Sequence, residues 1–192
     1  MRIDRIPIGR AKEARLPQDI ISAASSHASA VTPLNKGLRW FEGSRGAEQI
    51  RREGWNLLRE EVSLPAAVLD EEKLEHNLDW MQRFVEAYGA RLAPHGKTTM
   101  SPQLFARQLR HGAWGITVAT TQQARVAFQH GVRRVLMANQ LIGRENMRTI
   151  SKMLESSELD FYCLVDSAEQ IDQLGAFFAE QRQRLQVLLE LG

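Results

Sequence analysis

The chain has 192 residues, 43% of them hydrophobic and 25% charged, with 25 basic against 23 acidic side chains. That length suits one ordinary domain with a sizeable core, and a formal charge of +2 is too small to argue for nucleic acid or a membrane surface. A single cysteine, Cys163, excludes an internal disulfide framework and a CxxC metal knuckle. In chain order, residues 1–60 read as an N-terminal extension that is partly irregular. Ser- and Ala-rich text around Ser22–Ala30 gives way to VTPLNKGLRWFEGSRG, which has turn residues and no clear period. Trp40, Phe41, Trp55, Leu57 and Leu58 suggest that the latter part packs onto something.

Residues 61–192 carry a rhythm of short apolar runs and helical patterns. LPAAVL (64–69) reads as a first strand, followed by Asp70 as N-cap and by Leu74, Leu78, Met81, Val85 and Tyr88 at helical spacing, with Gly89 as the stop. RLAPHGK (91–97) reads as a second, less obvious strand, and Ser101–Pro102 opens a helix that closes at Gly112. GITVAT (115–120) precedes a helix from Thr121 to His130, stopped by Gly131; RVLMANQ (134–140) follows. DFYCLVD (160–166) leads into a capping box of Ser167 and Gln170 before Ile171, Leu174 and Phe178, and LQVLLELG (185–192) ends the chain. The apolar setting of Cys163 makes it a buried, inert thiol, and pairs such as Arg51–Arg52 and Arg133–Arg134 read as solvated charge.

Strand–helix alternation with capped boundaries is the pattern of a parallel sheet covered by helices. A repeat of about 25 residues is tight enough to suit a (β/α) barrel. A doubly wound sheet is the alternative, and against it no GxGxxG or GxxxxGK[ST] follows any strand. A complete barrel needs eight strands and about 250 residues, so the expectation is the front part of a longer protein. No run approaches the ~20 apolar residues of a membrane span, and the charged start has no apolar run behind it. The cytoplasm is therefore the expected location.

Within RLAPHGKTTMSP, alternation on a strand would place Arg91, Ala93, His95 and Lys97 on one face, with Lys97 at the strand's carboxyl end. Ligands bind at that rim in barrels and open α/β sheets. A lysine in a partly dry barrel mouth has its neutral amine favoured, as condensation with an aldehyde requires. The plain alternative is a lysine that reaches water or pairs with a carboxylate. Thr120, Asn139, Gln140, Asp166 and Glu190 also close strands with polar groups. Asn139 and Gln140 can hydrogen-bond a ring or a carboxylate. Thr120 and Asp166 serve equally as helix caps, and for Asp166 the cap is the favoured reading. His111 and His130 each precede a glycine at a helix end, where the dipole favours them, so no metal site is expected.

LPAAVLDEEKLEHNLDWM, APHGKTTMSPQLFARQLRHGAWGITVATTQQARVAFQHGVRRVLMANQLIG and FYCLVDSAEQIDQLG resemble, in order, the D-threonine aldolase/D-serine dehydratase-like family. The nearest members are those described as amino-acid deaminases or low-specificity D-threonine aldolases. The resemblance implies an α/β fold, the N-terminal part of an alanine-racemase-type (β/α) TIM barrel of fold type III, incomplete. It would hold about five barrel strands, plus one strand (Leu64–Leu69) for a β-domain not included. By the same resemblance Lys97 holds pyridoxal 5′-phosphate as a Schiff base and is the catalytic base, and His95 lines the pocket. With Thr120, Asn139 and Gln140, these form the cofactor-binding set. The family commonly reads RPHxKTH, where this chain has Ala93 and Thr99 in place of the arginine and the second histidine.

The implied activity is a lyase acting on D-amino acids, by dehydration and deamination or by retro-aldol cleavage, in a full-length homodimer with no nucleic-acid or membrane partner. A divalent metal, and the turns that hold the cofactor's phosphate, would come only from sequence beyond Gly192. The chain alone is then expected to bind cofactor weakly and to catalyse little. The alternatives are a non-catalytic pyridoxal-phosphate-binding barrel and a lysine-dependent aldolase that needs no cofactor.

Overall fold

Four helices begin where a short polar side chain accepts a free backbone N–H, as the capping residues predict. The computed structural model describes residues 30–191, so Ser22–Ser29, His27 within it, and Gly192 lie outside the described residues. A short helix α1 (Ala47–Arg52) lies in the leading segment. Asp70 accepts from Lys73 at 3.1 Å to open α2 (Glu71–Ala87), and Ser101 accepts from Leu104 at 3.4 Å to open α3 (Pro102–Arg110). After strand β1 (Ile116–Val118), Thr120 accepts from Gln123 at 3.2 Å to start α4 (Thr121–Gln129). Strand β2 (Arg134–Gln140), helix α5 (Arg144–Leu154) and strand β3 (Asp160–Val165) follow. Ser167 then accepts from Gln170 at 3.3 Å to open α6 (Ala168–Glu180), and β4 (Gln186–Leu189) closes the series.

Two of these junctions use one device. Gln123 accepts from the Ala119 N–H at 2.9 Å, and Gln170 accepts from the Asp166 N–H at 3.3 Å. In each case a glutamine one turn into the helix reaches back to the end of the strand and fixes the angle between them. The cap before α6 is thus Ser167 and not Asp166, whose carboxylate is used elsewhere.

The strands form one parallel sheet in the order β1-β2-β3-β4. Ile116, Val118, Val135, Met137, Phe161, Cys163 and Val165 lie on one face, in a single buried cluster with Phe105, Ala124, Ala127, Ile150, Leu174 and Phe178. Burying each large side chain there contributes roughly 1.5–3 kcal/mol, which is why strand alternation and helical period select the same core. Cys163 is fully buried and burial pushes its thiol up to about 12, the inert state read from its setting.

The opposite face aligns Thr117, Leu136, Tyr162 and Gln186 in one row. At its amino end Arg134 grips Asp160 through Nε and Nη2 at 3.1 and 3.0 Å. It also donates to the Trp114 carbonyl at 3.1 Å and lies 4.8 Å above the Trp114 ring. Burial raises the Tyr162 phenol, whose ring meets Trp114 at 5.3 Å. Arg134 is therefore a packing residue, contrary to the reading of Arg133–Arg134 as solvated charge; its partner sits beside it on the sheet.

Three expectations about strands and packing need correction. Leu64–Leu69 bends at Leu64 and Pro65 and joins no ladder among the described residues, and Leu64, Val68 and Leu69 are exposed. An apolar run becomes a strand only where a neighbouring backbone takes up its N–H and C=O groups. Arg91–His95 meets β1 through a single parallel bridge, His95 to Thr117, so four strands stand where about five barrel strands were expected. In the leading segment Phe41 is buried while Trp40 and Leu58 are exposed, at 81% and 92%, so that segment packs through only part of its apolar set.

Helix α2 buries only Val85 of its own residues. Charge holds it to α3: Arg107 pairs with Glu71 and Glu75, while the His111 ring reaches Glu75 at 2.7 Å and Asp79 at 2.8 Å. His111 is structural, as expected, but carboxylates from α2 fix it, in addition to its place at a helix end. The hydrogen bond from His111, followed by Arg107, holds the Glu75 carboxyl below its ordinary value. A lowered carboxyl stabilises the fold fully above its unfolded value and loses that contribution as pH falls through the folded one. Hydrogen exchange should therefore show α2 amides losing protection before β2 and β3 as pH drops below the ordinary carboxylate range. Simultaneous loss in all three would contradict this.

Candidate active site

The segment leading to Lys97 is laid against β1 mainly by its carbonyls. Trp114 donates to Leu92 at 2.7 Å, Thr117 N–H to Pro94 at 2.8 Å, and the Thr117 hydroxyl to Ala93 at 2.7 Å. Pro94 has no N–H to lose, so an acceptor-only contact suits it. Gly96–Thr98 then turns as a 3₁₀ helix, Met100 N–H closes on the Gly96 carbonyl at 2.9 Å, and Ser101 starts α3.

Gly96 is buried, and space makes it glycine. A Cβ there would lie 2.6 Å from Phe105 Cε1 and 2.8 Å from Ile116 Cγ2, well inside contact distance. The backbone before Lys97 is thereby seated on core side chains from α3 and β1. Met100 holds the left-handed conformation with φ of +44°, an unfavourable state for a non-glycine residue. Lys97 leaves this turn exposed, and its amine makes no hydrogen bond or ion pair among the described residues. Two details of the expectation change: Lys97 stands in a 3₁₀ turn just past the extended segment, not on a strand, and the described residues do not surround it with the dry setting foreseen. Its place at the carboxyl end, before a helix, is as expected.

His95 accepts the Lys97 backbone N–H through Nδ1 at 3.4 Å. His95 is exposed; partial desolvation of its ring first, then the charge of Lys97, hold its imidazole below the ordinary value. Thr120 is exposed and caps α4. The register between β2 and β3 jumps from Met137–Cys163 to Gln140–Leu164, so Ala138 and Asn139 form a bulge. Asn139 donates to the Ala119 carbonyl at 3.2 Å. Gln140 is swung across the strand ends, where Nε2 donates to Asp166 at 2.9 Å and to Glu190 at 3.3 Å.

The residues singled out from the sequence thus fall into two groups at the carboxyl end of the sheet. One is the His95–Lys97 turn, and the other is Thr120, Asn139 and Gln140 with Asp166 and Glu190. Among the described residues no hydrogen bond joins the two groups. Sequence reading missed the structural parts played by Met100 and Thr117, and neither position carries a signal that would have shown them. Among the described residues no cluster of three metal-ligating side chains occurs, and no helix is long and apolar enough to cross a membrane.

A family model described as the alanine racemase N-terminal domain matches residues 69–192, a span that includes both groups. The chain belongs to the alanine racemase N-terminal domain family. A family relative, the D-threo-3-hydroxyaspartate dehydratase of Delftia sp. (strain HT23), is 33% identical over 130 residues, which are 68% of this chain and 34% of that protein. The D-threonine aldolase of Arthrobacter sp. is 25% identical over the same shares of the two chains. Among solved structures, the D-threonine aldolase from Filomicrobium marinum superposes with a TM-score of 0.64 at 27% identity, covering 69% of this chain and 35% of that one. The chain spans about a third of the length of the curated relatives it matches, 34% in each case.

Two glycines give opposite expectations. Gly96→Ala should lower stability by about 1–3 kcal/mol through overpacking against Phe105 and Ile116. Gly175→Ala, within α6 and with nothing inside 4 Å of the added carbon, should raise it by about 0.5–1 kcal/mol. Chemical denaturation of both variants tests the pair; a neutral Gly96→Ala would contradict the close approach.

Proposed function

We propose that Lys97 is the amine that holds pyridoxal phosphate, and that the chain is part of a lyase acting on D-amino acids of the D-serine or D-threonine type. The observation that carries this reading is an unpaired amine on a core-anchored turn at the carboxyl end of the sheet, in a chain of this family. The relatives, a D-threo-3-hydroxyaspartate dehydratase and D-threonine aldolases, support D-amino acids as the substrate class.

The residues present fit the group. Lys97 has no carboxylate to release before it condenses with an aldehyde. When bound, pyridoxal phosphate supplies an electron sink for the bond that breaks at the substrate Cα. Lys97 Nζ, once free, takes or returns the proton at that carbon. Thr120 Oγ1 is occupied as an acceptor but still carries a hydrogen to donate. Gln140 directs Nε2 to Asp166 and Glu190, which leaves Oε1 as its available acceptor. Asn139, on the bulge, completes the polar set. Elimination of a β-hydroxyl and cleavage of Cα–Cβ both remain within this chemistry, and Ala93 and Thr99, which depart from the family's motif, are where substrate preference would differ. Residues 61–192 serve as the front of the cofactor barrel and residues 1–60 as an extension to it, in a cytoplasmic homodimer.

Keto-acid release from D-serine and aldehyde release from D-threonine, assayed in any longer protein that carries this chain, should fall roughly a thousandfold or more in Lys97→Ala. Activity retained in that variant would overturn the assignment. For the 192-residue chain itself, titration with pyridoxal phosphate should show weak binding, and tight stoichiometric binding would contradict the expectation that other sequence holds the phosphate.

A further inference from the structure

The turn that carries Lys97 is held at three points, and one of them can be protonated. Gly96 is seated on Phe105 and Ile116, the Met100 N–H closes on the Gly96 carbonyl, and the His95 ring accepts the Lys97 N–H. Elsewhere the chain uses Asp70, Ser101, Thr120 and Ser167 to accept at a helix start. Those are the usual capping side chains, and an imidazole is not. It differs from the hydroxyl caps in two ways: it carries a second nitrogen, and it ceases to be an acceptor when protonated. A ring whose Nδ1 accepts a backbone N–H is neutral and bears its proton on Nε2.

We infer that His95 is a positioning residue: its neutral ring clips the Lys97 backbone N–H, fixes the direction in which Lys97 leaves the turn, and lets the turn go on taking a second proton. The catalytic consequence rests on Lys97 being the amine proposed above, whereas the clip does not. The elements packed against the turn meet it with Phe105 from α3 and with Ile116 and Thr117 from β1, none of which titrates in the accessible range. The charge that bears on His95 is that of Lys97, of the same sign as a protonated ring. Partial desolvation and that charge both lower the imidazole of this exposed residue from its ordinary value near 6.5. The clip is therefore complete above that value and is lost as pH falls through the lower one in the folded protein.

Amide exchange at Lys97, corrected for the intrinsic rate, reads the clip directly, and nitrogen chemical shifts of His95 read its tautomer. In the wild-type chain His95 should show an unprotonated Nδ1 and a protonated Nε2 at pH 7.5. Protection at Lys97 should fall as pH drops below the imidazole value. His95→Ala should lower that protection about three- to tenfold, the range of one modest hydrogen bond. His95→Asn, which accepts without titrating, should restore protection and flatten its pH dependence; this variant also guards against a general loss of fold in His95→Ala. A protonated Nδ1 at pH 7.5, unchanged protection in His95→Ala, or the wild-type pH dependence persisting in His95→Asn would each overturn the inference. Should pyridoxal phosphate fail to attach at Lys97 while the tautomer and the protection behave as stated, the cofactor reading falls and the clip stands.

Discussion

The site depends on one close approach, that of the Gly96 backbone to the Phe105 ring and the Ile116 side chain. No other residue type fits between the turn and those two side chains, one from α3 and one from β1. A reactive amine must be free at its tip yet fixed at its base, or it samples directions in which it cannot react. Gly96 supplies the fixed base by joining the turn to the same buried cluster that holds the sheet together. Exposure of Lys97 itself then costs the fold little, because the rigid part lies one residue earlier.

The two faces and two ends of the sheet divide the work. Ile116 and Val118 of β1 and the odd-numbered positions of β2 and β3 build the core with the helices, and the Arg134–Asp160–Trp114 contacts close the amino end of the other face. Nothing there resembles a reaction centre, which agrees with that end serving stability in barrels. At the carboxyl end, by contrast, the strands stop in polar side chains, and β2 spends two residues on a bulge that carries Gln140 toward Asp166 and Glu190. Three irregularities of the backbone lie at this end: the 3₁₀ turn, the left-handed Met100 and the bulge.

Much of this was legible in the sequence because it follows from periodicity and capping. The caps at Asp70, Ser101 and Ser167, the stops at Gly89, Gly112 and Gly131, and the burial of Cys163 are local consequences of side-chain chemistry. The parallel sheet follows from their alternation, and Lys97 stood out for its place at the end of an apolar run. What could not be read depends on contacts between distant segments. The turn at Lys97, closed by the Thr99 N–H on the Gly96 carbonyl, sits where Gly96 packs on Phe105 and Ile116, and the Asp166 carboxylate is taken up by Gln140 from another strand. Leu64–Leu69 looked like a strand, since its apolar side chains are real, but pairing needs a partner that the described residues do not provide.

The central claim is that one ε-amine, that of Lys97, receives the cofactor. It is tested most directly by reducing the protein with borohydride in the presence of pyridoxal phosphate and locating the pyridoxyl group by peptide mass spectrometry. The account predicts the label in the peptide containing HGKTTM, on Lys97. A label confined to Lys12, Lys36, Lys73 or Lys152, with Lys97 unmodified, would contradict it.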